Sequence, residues 1–151
     1  MTQKLLIVSA ATLLTLALAG CSSMGSASTA ASAYQMLGGS QTVSNLSSGF
    51  LGSVLKDPQL ASLTSGKNIN SSAVSSKMSD QLCSMLGGGC TAPLTDAQIN
   101  TAASKLSPAQ SQAISNNFTS ALHSVTSNPE VQNLVTKAVG PKIGGIVTAL
   151  L

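Results

Sequence analysis

From Ser40 to the end of the chain, apolar residues recur every third or fourth position, the repeat of one buried helix face, and no segment alternates as a half-buried strand would. Val43, Leu46, Phe50, Val54 and Leu55 form the first such face, in a helix predicted to begin near Ser40, a favourable N-cap type, and to end near Lys56. Asp57-Pro58 disfavours continuation and suits a new start, to which Leu60 and Leu63 give only a turn or two. Thr64 to Asn70 reads as a loop. Val74, Met78, Leu82 and Met85 then mark a helix capped by Asn70 or Ser71 and halted at Gly87, the left-handed residue that commonly closes a helix.

An irregular piece follows Cys90 through Pro93. Thr95-Asp96-Ala97-Gln98 has the form of a capping box, with Thr at the cap and Gln positioned to reach back, and opens a modest helix carrying Ile99, Ala102 and Leu106. Ser107-Pro108-Ala109-Gln110 repeats the device with proline at the first helical position. Its helix carries a wide stripe of Ala113, Ile114, Phe118, Ala121, Leu122 and Val125. Asn128-Pro129 opens the last pattern, Val131, Leu134, Val135, Ala138 and Val139, which Gly140-Pro141 is expected to interrupt before Ile143, Ile146, Val147 and Leu150 continue it. Asn133, Lys137, Pro141 and Lys142 break the apolar tail, which therefore reads as a core helix and not a membrane span. The predicted fold class is all-α.

Ahead of this region the pattern changes. Lys4, an apolar run from Leu5 to Ala19, and small residues at its end make residues 1–20 a secretory signal peptide, too short in its apolar core for a comfortable span. Leu18-Ala19-Gly20-Cys21 matches the lipobox of bacterial lipoproteins, in which cleavage leaves the cysteine as a lipid-bearing N-terminus. The competing reading is an ordinary secreted protein with a free Cys21. Several acyl chains on one residue suffice for stable anchoring. Ser22, where retained lipoproteins carry Asp, resembles lipoproteins sent to the outer membrane, so the expected location is the bacterial cell envelope, lipid-anchored and facing the periplasm. Residues 21–33, small and polar, read as a flexible tether, and 34–151 is enough chain for a single core.

Cysteine and charge refine the picture. With Cys21 assigned to lipid, Cys83 and Cys90 remain, and in an oxidising compartment the simplest reading is a disulfide. Two unpaired thiols fit that compartment poorly, and a metal pair lacks partners because His123 is the chain's single histidine. Lys4 lies in the leader; the other six lysines against four acids, with no arginine, leave a net of +2 spread thinly. Such a distribution makes no basic patch, and Tyr34, Phe50 and Phe118 make no stacking platform, which argues against a nucleic-acid partner. One histidine, four scattered carboxylates and many serines without a motif supply no catalytic set; a triad would need His123 oriented by Glu130, and the chain is not expected to be an enzyme.

Four stretches, taken in order, resemble a group I truncated haemoglobin in its exported form with paired cysteines. Tyr34-Gln35-Met36-Leu37-Gly38-Gly39 is similar to that family's opening Leu-Tyr-x-x-Leu-Gly-Gly. Gly49-Phe50-Leu51 followed by Val54-Leu55-Lys56-Asp57-Pro58-Gln59-Leu60 is similar to its second helix and Asp-Pro-Arg-Leu stop. Lys77 to Cys90 is similar to its Gln-Leu-Cys…Gly-Gly-Pro-Cys segment, with Gly89 in place of proline. Leu106-Ser107-Pro108-Ala109-Gln110 is similar to the Gly-Ile-Thr-x-x-His that opens the penultimate long helix.

The resemblance implies a globin-like helical domain over nearly all of 34–151. It carries the family's haem chemistry over poorly. Those globins hold iron through a proximal histidine shortly before the Gly-Ile-Thr start; counted without gaps from Cys90, Thr101 falls there, and threonine is no axial ligand. Leu51 stands where the distal tyrosine is usual, and Ala92-Pro93-Leu94 replaces Tyr-Thr-Gly. His123, Met78, Phe50 and Leu51 are the residues left for an atypical haem contact, although methionine at core spacing usually means packing. The expectation is a binding or structural module without haem, its protein partner or small apolar ligand undefined. The alternative is a haem- or oxygen-binding globin with a non-standard axial ligand.

Overall fold

The computed structural model describes residues 33–151. The expected signal peptide (1–20), Cys21 and the tether through residue 32 lie outside the described residues. Within them every regular element is helical: a leading segment α1 (described from 33 to 37), α2 (Gly39–Lys56), a 3₁₀ turn (Pro58–Leu60), α3 (Ala61–Thr64), α4 (Ser71–Met85), α5 (Asp96–Ala103), α6 (Pro108–Val125) and α7 (Pro129–Leu150). The fold is all-α.

The starts follow the local chemistry. Both capping boxes form: Gln98 N–H donates to Thr95 Oγ at 3.3 Å while Thr95 N–H donates to Gln98 Oε1 at 2.9 Å, and Ser107 and Gln110 make the same exchange at 3.2 and 2.9 Å. Asn70, not Ser71, caps α4, its Oδ1 accepting from Ala73 N–H at 3.1 Å. Helix α2 begins one residue ahead of Ser40. Its cap is Gly38 at φ 110°, a left-handed conformation open to glycine, which lets the chain reverse between α1 and α2.

Two packing centres hold the bundle. Helix α2 lies against α4 and α6, and α7 lies against α5, α6 and α4. Val43, Leu46, Phe50, Val54, Met78, Leu82, Ile114, Phe118, Leu122, Val135 and Val139 share one core and are all at most 1% exposed. Phe50 and Phe118 meet edge to face, ring centroids 5.4 Å apart at 80°, an arrangement that contributes about 0.5–1.5 kcal/mol beyond burial. Gly145 lets α5 and α7 close on each other: a Cβ there would overlap the Ile99 carbonyl oxygen and stand 2.8 Å from Ile99 Cγ2.

Three expectations change. Gly140-Pro141 does not interrupt the last helix; α7 runs through Pro141 to Leu150. Proline there removes one hydrogen bond, but Gly140 has no Cβ to clash with the ring, and Val135 and Val139 before it and Ile143, Ile146 and Val147 after it are all buried, so packing outweighs the local cost of about 3 kcal/mol. Ala33, expected as the last tether residue, is buried in the core with Leu37. Finally, Leu86 and not Met85 completes the buried face of α4, because the helix ends on it and turns it inward. Among the described residues no helix is long and apolar enough to cross a membrane.

Candidate functional site

The closure of α4 positions the region where the resemblance places chemistry. Gly87 at φ 79° ends the helix, Gly88 N–H donates to Cys83 O at 2.8 Å and Gly87 N–H to Ser84 O at 3.2 Å, the paired bonds of a Schellman motif. Cys83 and Cys90 are joined by a disulfide, Cα atoms 5.6 Å apart across a separation of seven residues. Closing so short a loop stabilises the fold by roughly 2–3 kcal/mol on a chain-entropy account. Gly88 is wedged: a Cβ would lie 2.6 Å from Cys83 Sγ and 2.7 Å from the Tyr34 ring, and Tyr34 N–H donates to Leu86 O at 3.3 Å. The glycine run thus joins helix stop, cross-link and chain start in one knot.

Beyond the disulfide, Gln81 fixes the path to α5. Its side chain is 3% exposed, and its Oε1 accepts from Leu94 N–H at 3.0 Å. Sequence reasoning on periodicity passes over Gln81, since an amide on a helix reads as solvent-facing; its position one residue before the buried Leu82 was the available signal. Asp57 does a similar service on the other side, its Oδ1 accepting from Gln59 N–H at 2.9 Å and its Oδ2 from Asn117 Nδ2 at 2.7 Å, linking the end of α2 to α6.

Of the residues proposed for an atypical haem contact, Phe50 and Met78 share the core and His123 lies apart from them on the surface. Phe50 and Met78 are fully buried in the core, and Leu51 is 2% exposed at the base of a surface groove. His123 is exposed on α6 near its end. Thr101 is exposed on α5. A haem-sized interior cavity would leave its lining accessible to water, yet Phe50, Met78, Leu82, Leu86 and Ile114 have 0% exposure. His123 and Met78 thus stand in different surroundings, one exposed at the end of α6 and one inside the packed core.

Two open grooves mark the surface. One, about 530 Å³, runs between α2 and α4 and is lined by serines including Ser48 and Ser75, whose hydroxyls lie 2.9 Å apart, with Asp80 as its single ionisable group. The other, about 640 Å³, lies between α3, α5 and the end of α7, with Lys67, Lys105 and Thr101 in its lining. Neither lining holds a histidine. The one ion pair among the described residues, Lys142 to Asp96 at 2.7 Å, is solvent-exposed and contributes little to stability. Comparison with protein-family models, curated proteins and solved structures finds no match.

Proposed function

We propose that the chain is a lipid-anchored protein of the bacterial envelope, held by Cys21, whose globin-like helical domain acts as a haem-free binding module and not as an enzyme. The single observation that carries the reading is the placement of Thr101. It stands where the resemblance implies the iron-ligating histidine, and its side chain lies exposed in a groove instead of facing the interior. The packed core supports the same reading, because Phe50 and Met78 fill the space against neighbouring side chains. The four-residue lipobox and the apolar leader support the anchor, and the Cys83–Cys90 disulfide accords with an oxidising compartment.

The test is the visible absorption spectrum of the full chain, purified in detergent and titrated with haemin. The expected spectrum is that of free haemin at every ratio; a stoichiometric Soret band would sink the haem-free reading. Membrane fractionation of wild type against Cys21→Ser tests the anchor, with the variant expected in the soluble fraction.

A further inference from the structure

The groove between α3, α5 and the end of α7 has a chemical sign. Two of its lining residues are lysines, Lys67 just after α3 and Lys105 just after α5, and none is acidic. Asp96, the acid nearest to the groove along α5, is engaged by Lys142 at 2.7 Å and does not neutralise them. Neither Lys67 nor Lys105 has a carboxylate within ion-pair distance among the described residues. Two of the neutral polar groups keep a donor unspent, while the Thr148 hydroxyl donates to Gly144 O at 2.8 Å. Gln98 has its oxygen occupied by Thr95 N–H at 2.9 Å and Thr95 Oγ at 3.1 Å, which leaves its N–H₂ free. Ser62 Oγ accepts from Gln110 Nε2 at 2.9 Å, which leaves its O–H to donate. Between these groups the surface is apolar, with Leu63 and Leu94 half-buried in the lining. A concavity of about 640 Å³ is in the range that takes a small molecule.

Donors and uncompensated positive charge on a part-apolar concave surface match a ligand with an anionic head and an apolar body, since charge-assisted hydrogen bonds orient the head while the body leaves water. We propose that this groove binds a small amphiphilic carboxylate, its head held by Lys67 and Lys105 and its chain laid over Leu63 and Leu94. The proposal rests on the binding-module reading and gives that module a ligand class and a place. Gln81, by holding Leu94 through its backbone, sets one wall of the groove.

The experiment is calorimetric titration of the full chain in detergent-free nanodiscs with decanoate below its micelle concentration, in parallel with decanol and acetate, for wild type and Lys67→Gln/Lys105→Gln. Decanoate is expected to bind wild type with one site, to weaken about tenfold in the double variant and to weaken with added salt, as paired charges require. Decanol and acetate are each expected to bind at least about tenfold more weakly than decanoate, since each lacks one half of the match. Absence of decanoate binding, equal binding of decanol, or unchanged affinity in the double variant overturns the proposal. Both lysines are exposed, so the double variant keeps the fold, which far-ultraviolet circular dichroism verifies. These outcomes leave the haemin titration untouched, so failure here and failure of the haem-free reading are separately visible.

Discussion

The Gln81 side-chain oxygen accepts the Leu94 backbone N–H at 3.0 Å across a gap of thirteen residues, so one buried amide on α4 sets where the chain enters α5. Gln81→Leu fills the same space without the acceptor and leaves that N–H half-buried and unpaired. It is expected to lower unfolding free energy by about 1–3 kcal/mol, measured by urea denaturation. Stability equal to wild type would show that water satisfies Leu94 as well as Gln81 does.

At Gly145 the backbone of α7 lies directly against Ile99 of α5. Gly145→Ala gains helix propensity in isolation, about 1 kcal/mol, but places a methyl group on the Ile99 carbonyl oxygen. The clash dominates, and a net loss of about 1–3 kcal/mol is expected in thermal or chemical unfolding. A stabilised variant would mean that the two helices separate without cost.

The disulfide predicts a different signature. Cys83→Ala/Cys90→Ala, or reduction of the wild type, is expected to remove about 2–3 kcal/mol. The loss should appear chiefly as a shifted denaturation midpoint, with the all-α circular dichroism spectrum retained. A wild type whose midpoint is unchanged by reductant would contradict it.

Asp57 caps the 3₁₀ turn and grips Asn117 with the same carboxylate. Asp57→Ala removes both bonds and is expected to cost about 1–2 kcal/mol. Asp57→Asn retains the cap oxygen but cannot present a second acceptor to Asn117 in the same pose, and should fall between the two. An equilibrium series on the three proteins checks the order.

His123 is exposed near the end of α6 and lines neither groove. His123→Ala is expected to change stability by less than about 0.5 kcal/mol, as surface substitutions do, and to leave the haemin spectrum as it is in wild type. A spectrum that depends on this residue would restore it as an iron ligand.

Much of the fold was legible because its signals are local. Asn70, Thr95, Ser107 and Asn128 each cap the helix that their sequence position announces, and Phe50, Phe118, Leu122 and Val139 sit on the faces that their spacing predicts. Pro141 misled because proline's cost is local while the burial that outweighs it comes from α5 and α6. Ala33 misled because a small residue in a run of small residues has no period to betray its burial. The candidate site was less legible still. Thr101 marks a place in a pattern, but only the packing of α5 on α7 determines that it faces outward, toward lysines that sit in separate loops.

The knot around Gly88 has a mechanical consequence. A pull applied through residues ahead of Ala33 reaches the domain at Ala33, buried in the core, and at Tyr34, whose backbone is bonded to Leu86 and whose ring rests against Gly88 beside the disulfide. Part of the load is thereby passed to the covalently closed end of α4. A domain tethered by its leading end would meet tension beside its covalent cross-link.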